Sequence, residues 1–113
     1  MAHQEHECCD EEGICLCTTE GILNVISKKW TICIVSLLGA RSEGYRFNEL
    51  KRRLEGISPK SLSDRLKELE SEGLVNRNVK PTQPPEVTYT LTEDGHSLKA
   101  SLKPLERWVS ERE

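Results

Sequence analysis

Aromatic side chains are scarce in this chain, at 4% of 113 residues, so its core has to rest on Leu, Ile and Val. Long hydrophobic runs are missing as well. The longest apolar stretch, residues 32–38, contains Ser36 and falls far short of the roughly 20 residues that a membrane-crossing helix needs. The N-terminus, Met1-Ala2-His3-Gln4-Glu5-His6, has neither a basic start nor an apolar segment. It does not read as a secretory leader, and a cytoplasmic protein is expected. No phosphate-binding glycine loop, His-Glu-x-x-His or Gly-x-Ser-x-Gly occurs, so catalysis is not expected. His96 stands alone as a surface or packing residue, and Glu68 and Glu72 read as a solvated helix edge. Repeats and low-complexity tracts are absent. The length suits one domain, small enough for dimerisation to help it.

Charge is present but unevenly placed. The net charge is -3, yet residues 1–20 hold six acids and no Lys or Arg, whereas residues 21–60 hold eight bases against three acids. Positive charge thus gathers just before residues 57–75, a stretch that reads as a helix, a glycine stop and a strand. Ser58 is placed to cap the helix, and Pro59 suits a first turn, where a missing N–H costs nothing. Leu62, Leu66 and Leu69 share one face; Lys60, Ser63, Asp64 and Lys67 point away, with Arg65 on the flank. Such a helix fits a DNA major groove, although an ordinary amphipathic surface helix has the same pattern.

The sequence downstream decides between them. Residues 74–80 and 87–91 alternate apolar and polar positions around Pro81-Thr82-Gln83-Pro84-Pro85, which predicts a β-hairpin with a wide loop. A helix followed directly by such a hairpin is the pattern of a winged helix-turn-helix. Arg77, Lys80, Thr82 and Gln83 are then available to phosphates or the minor groove. Upstream, Thr18 or Thr19 is expected to cap a first helix carrying Ile22, Leu23, Val25 and Ile26. Residues 30–38 should form a central helix buried nearly all round, with Cys33 as a small core residue. Tyr45-Arg46-Phe47 suits a short strand against the wing, and Asn48 is expected to cap a helix over 49–54. Gly56 makes the turn into the reading helix. Thr92 opens a last helix whose stripe is Leu98, Leu102, Leu105 and Val109, widened by Trp108 and interrupted by Pro104. That stripe, with Ile22 of the first helix, is the expected dimer contact.

The chain has five cysteines, and Cys8, Cys9, Cys15 and Cys17 crowd the first 17 residues with His3 and His6 upstream. The spacing is not the Cys-x-x-Cys of a zinc ribbon. Cys8 and Cys9 lie among Glu7, Asp10, Glu11 and Glu12, whose charge disfavours thiolate but attracts cations. Cys17 stands at the start of a helix, where the dipole favours thiolate. Three readings stay open: a thiol switch at Cys17 resolved by Cys15 or by a cysteine of a second subunit; a soft metal or iron–sulfur cluster on Cys8, Cys9, Cys15 and Cys17; or no chemical role.

From Cys17 to Trp108 the chain resembles the HxlR-type transcriptional regulators, winged helix-turn-helix proteins related to the MarR group. The resemblance is carried by Cys17, Lys29-Trp30-Thr31, Arg46-Phe47-Asn48-Glu49-Leu50, Ile57-Ser58-Pro59 and Leu62-Ser63-Asp64-Arg65-Leu66. Leu69-Glu70, Gly73-Leu74-Val75 and the block from Pro85 to Thr92 continue it. Two features depart from the family pattern: Thr18 stands where proline is common, and Cys8, Cys9 and Cys15 are additional. The resemblance implies a homodimer on an inverted-repeat operator in double-stranded DNA, and a Cys17 that senses electrophiles or oxidants. The expectation is therefore a mainly α fold with a small β-hairpin. Residues 1–17 form a polar arm, and residues 18–113 form a winged-helix domain dimerising through its N- and C-terminal helices. Lys60, Ser61, Ser63, Asp64, Arg65 and Lys67 would lie at the major groove. Arg46, Asn48, Lys51, Arg52, Arg77 and Lys80 would serve phosphates or the wing. The alternative is a winged helix that binds protein, which would more often show an apolar patch on the reading helix.

Overall fold

The computed structural model describes residues 21–113. Its elements run α1 (Ile22–Ile26), α2 (Thr31–Gly39), α3 (Phe47–Arg53), α4 (Pro59–Ser71), β1 (Val75–Lys80), β2 (Glu86–Leu91) and α5 (Glu93–Arg112). The fold is mainly helical with one antiparallel hairpin, as the periodicity predicts. Local chemistry sets most boundaries. The Ser58 side chain accepts the Ser61 N–H at the head of α4, and Gly73 leaves that helix at φ 76°, in the left-handed region that glycine enters freely. The Thr92 hydroxyl accepts the Gly95 N–H and donates to the Gly73 carbonyl, tying the start of α5 to the end of α4.

The hairpin pairs Val75 with Leu91 through Lys80 with Glu86. Tyr45 adds a short third edge, exchanging two backbone hydrogen bonds with Tyr89 at 3.0 and 2.8 Å, so the strand expected at residues 45–47 survives as a single bridge. Gly44 makes this approach possible, because a Cβ there would lie 2.6 Å from the Tyr89 carbonyl oxygen.

Ile34, Val35 and Leu38 of α2, Leu50 of α3 and Leu62, Leu66 and Leu69 of α4 meet in one core with Leu74, Val75 and Leu91. The reading helix is thereby seated by its leucine face. Thr31 is fully buried, and its hydroxyl donates to the Val25 carbonyl at 2.9 Å, satisfying both groups and closing α1 onto α2.

Several expectations need correction. Helix α3 starts at Phe47 with Arg46 in the capping position; Asn48 lies inside the first turn. The cap is supplied from the other side by Glu49, whose carboxylate accepts the Arg46 N–H at 2.8 Å, as acidic groups do at helix starts. Helix α5 carries Pro104 in its interior, as the stripe running on to Val109 implies. Trp30 does not open α2 in a helical conformation: it holds the capping position at φ 81°, and the side chain packs against the core. The proposed caps Thr18 and Thr19, and Cys8, Cys9, Cys15 and Cys17, lie outside the described residues.

Candidate nucleic-acid interface

Helix α4 turns a polar surface outward. Lys60 and Lys67 are exposed, and Ser61, Ser63 and Asp64 are half-buried beside them. No large apolar side chain of α4 is exposed, which suits phosphates and base edges better than an apolar partner. On α3, Asn48, Lys51 and Arg52 line one cleft of about 330 Å³, so three residues expected to serve phosphates converge. Arg77 and Lys80 project from the exposed strand β1, and the loop beyond is exposed through Pro85.

Carboxylates hold several of these cations. The Lys60 ammonium sits 2.9 Å from Asp64, one helical turn away, and its hydrogen bond keeps the Asp64 carboxyl below the ordinary aspartate range. The Arg46 guanidinium meets Glu86 of the wing at 2.6 Å, so it latches α3 to the hairpin. Arg65 turns from the outer face and is only 18% exposed, donating to Glu68 at 2.8 and 3.3 Å. Glu68 also takes Lys28, from the turn between α1 and α2, at 2.7 Å. Glu68 is therefore no solvated edge. Burial pushes its carboxyl up, but the hydrogen bonds from Lys28 and Arg65 outweigh this and leave it below the usual range. Glu49 is lowered chiefly by the Arg46 N–H, with help from Arg41.

Sequence reasoning missed Lys28, Arg41 and Arg53. The Arg41 guanidinium packs 4.1 Å from the Tyr45 ring centre and pairs with Glu49, and Arg53 approaches the same ring at 6.0 Å. The Arg65–Glu68 spacing of three was a readable signal; Lys28, 40 residues from Glu68, carried none.

The expected dimer stripe divides in two. Leu102 is buried, and Leu98, partly buried, packs against the domain's own core. Ile22, Leu105, Trp108 and Val109 remain 41–54% exposed. An open apolar groove of about 580 Å³ runs between α2 and α5, where Leu105 and Val109 face Ile32, Leu37 and Cys33. Cys33 is consequently exposed rather than a core residue. The expectation failed because α5 stops short of covering that face of α2, leaving it apolar but open. Among the described residues no group of three or more His, Cys, Asp or Glu could hold a metal ion, and no helix is long and apolar enough to cross a membrane.

A sequence model of an HxlR-like helix-turn-helix matches residues 25–113. An uncharacterised HTH-type transcriptional regulator of Halalkalibacterium halodurans is 44% identical over 86 residues, covering 76% of this chain and 75% of the relative. Among solved structures, a possible HxlR-family transcriptional factor of Thermoplasma volcanium superposes with a TM-score of 0.76 at 38% identity. That likeness covers 88% of this chain and 90% of the other. The redox regulator HypR in its oxidised form gives a TM-score of 0.73 at 34% identity, over 79% of this chain and 90% of HypR.

Proposed function

The chain belongs to the HxlR-like helix-turn-helix family, and from that premise we propose that this transcriptional regulator acts as a homodimer on an inverted-repeat operator in double-stranded DNA. Each subunit lays α4 in the major groove of one half-site. Lys60, Ser61, Ser63, Asp64 and Lys67 face base edges, while Asn48, Lys51 and Arg52 grip the backbone beside them and Arg77 and Lys80 bring the wing to the flanking phosphates. The carrying observation is the convergence of Asn48, Lys51 and Arg52 on one cleft, together with the polar outer surface of α4. Neutralising Lys51 and Arg52 together should flatten the salt dependence of operator binding by roughly two units of slope. An unchanged slope removes them from the interface.

The second subunit covers Ile22, Leu105, Trp108 and Val109, the exposed apolar side chains of α1 and α5. Residues 1–17 act as a cysteine-bearing arm of the domain formed by residues 18–113. Cys17 is the redox centre, with Cys15 or a cysteine of the other subunit as its partner: two thiols surrender two electrons and two protons to an oxidant and join as a disulfide. The likeness to the redox regulator HypR supports this reading. The disulfide would shift α1 at the dimer contact and so change the separation of the two α4 helices. Operator affinity of Cys17→Ser with and without oxidant tests it; a response equal to that of the unmodified protein excludes Cys17.

A further inference from the structure

We propose that Glu68 is a specificity-determining residue: by holding Lys28 and Arg65 it keeps two cations off the DNA backbone and limits binding to the wrong sequences. The inference rests on the DNA-binding reading above and adds to it a residue that touches no base. Cations that reach phosphates supply affinity that is blind to sequence, through release of the counterions condensed on the duplex. A regulator whose cations all reached phosphates would gain affinity for every site alike, and its preference for the operator would shrink.

The geometry singles out Glu68. Its two oxygens take both partners at once, Lys28 Nζ at 2.7 Å and Arg65 Nε at 2.8 Å with a further contact at 3.3 Å. The Arg–carboxylate contact is two-pronged, the strong form of such a pair. The side chains of Lys28, Glu68 and Arg65 are 34%, 28% and 18% exposed; among the other pairs only Arg41–Glu49, at 31% and 33%, is comparably shielded from water and salt, and it holds one cation rather than two. Lys60–Asp64 and Arg46–Glu86 involve side chains that are 85% and 41%, and 57% and 39%, exposed. Such pairs open at little cost, so a phosphate takes Lys60 or Arg46 easily. Taking Lys28 or Arg65 strips a half-buried carboxylate of one of its two partners, and taking both leaves it uncompensated. Lys51, Arg52, Arg77 and Lys80 enter no ion pair among the described residues and carry the backbone contact instead.

The experiment measures the salt dependence of binding to a random-sequence duplex, and to an operator selected from a random pool, for the full chain and its variants. Glu68→Gln keeps the shape and removes the charge. It is expected to bind the random duplex more tightly, with a slope steeper by one to two units, which is about 4- to 16-fold more affinity lost between 50 and 200 mM salt. The ratio of operator to random-duplex affinity should fall. Glu70→Gln removes an equal charge from an exposed position of the same helix and should leave the slope unaltered. Lys28→Gln alone should also leave it unaltered, while Lys28→Gln added to Glu68→Gln should return about one unit of the gain. Lys28→Gln keeps the proposal testable if Glu68→Gln folds poorly, because a slope about one unit shallower in that variant would show Lys28 already on phosphate. That result, or equal slopes for Glu68→Gln and the unmodified protein, overturns the proposal. Failure of the unmodified protein to bind any duplex at low salt would instead overturn the DNA-binding reading itself.

Discussion

Lys28 and Glu68 are separated by 40 residues of sequence and by 2.7 Å in space, and their contact pins the turn between α1 and α2 to the reading helix. A half-exposed pair that belongs to a three-residue network contributes near the top of the surface range, up to about 1 kcal/mol. Lys28→Gln should therefore lower the unfolding free energy in urea by less than about 1 kcal/mol. A larger loss would show the pair to be a structural keystone rather than a positioning contact.

Acid should weaken the fold through three carboxyls. Glu49, Asp64 and Glu68 are each held below their ordinary values, so they bind protons less readily in the folded chain than in the unfolded one. Their stabilisation is complete above the ordinary values of 4.5 for Glu and 3.8 for Asp and is lost as pH falls through the lower folded values. Urea midpoints should fall below about pH 4.5, and less steeply in Asp64→Asn or Glu68→Gln. Identical acid profiles for all three proteins would contradict the assignment.

Gly95 is buried at the point where α5 crosses the start of the hairpin. A Cβ there would lie 2.2 Å from the Leu74 carbonyl oxygen and 3.0 Å from Leu91. The first of these is backbone and cannot swing aside. Gly95→Ala should cost about 1–3 kcal/mol despite alanine's better helix propensity, measured as a lower urea midpoint. A stabilised variant would mean that α5 sits farther from the hairpin than described.

The architecture was largely legible in the residues, and the reason is local. Ser58-Pro59, Gly73 and Thr92 punctuate helices through chemistry confined to a few neighbours, and Leu62, Leu66 and Leu69 declare a buried face by spacing alone. What could not be read depends on contacts distant in sequence. Cys33 looked buried because α2 is apolar around most of its circumference, but only the fold decides which faces another element covers. Leu98 and Leu102 share one periodic stripe with Leu105 and Val109, and periodicity cannot say where along α5 the domain's own core ends. The Arg65 side chain was visibly on the flank, but Lys28, which shares Glu68 with it, was not. The grouping of Asn48, Lys51 and Arg52 followed from α3 being a helix, since positions three and four apart share a face.

Trp108 is 54% exposed on α5, with Leu105 and Val109 beside it. If a second subunit covers this row, Trp108→Ser should weaken self-association by at least about tenfold, the scale of a buried aromatic anchor. The folded subunit should lose less than about 0.5 kcal/mol, as surface changes usually do. Sedimentation of both proteins across a concentration series checks this, and an unchanged association constant would remove Trp108 from the contact.

The most direct test of the account is selection of duplexes from a random pool, followed by footprinting of the bound winner. Paired helices held by a shared contact predict an enriched inverted repeat, with two protected half-sites centred about 10 base pairs, or a multiple of that, apart. A pool that shows no enrichment, or a footprint over one unpaired half-site, would contradict it.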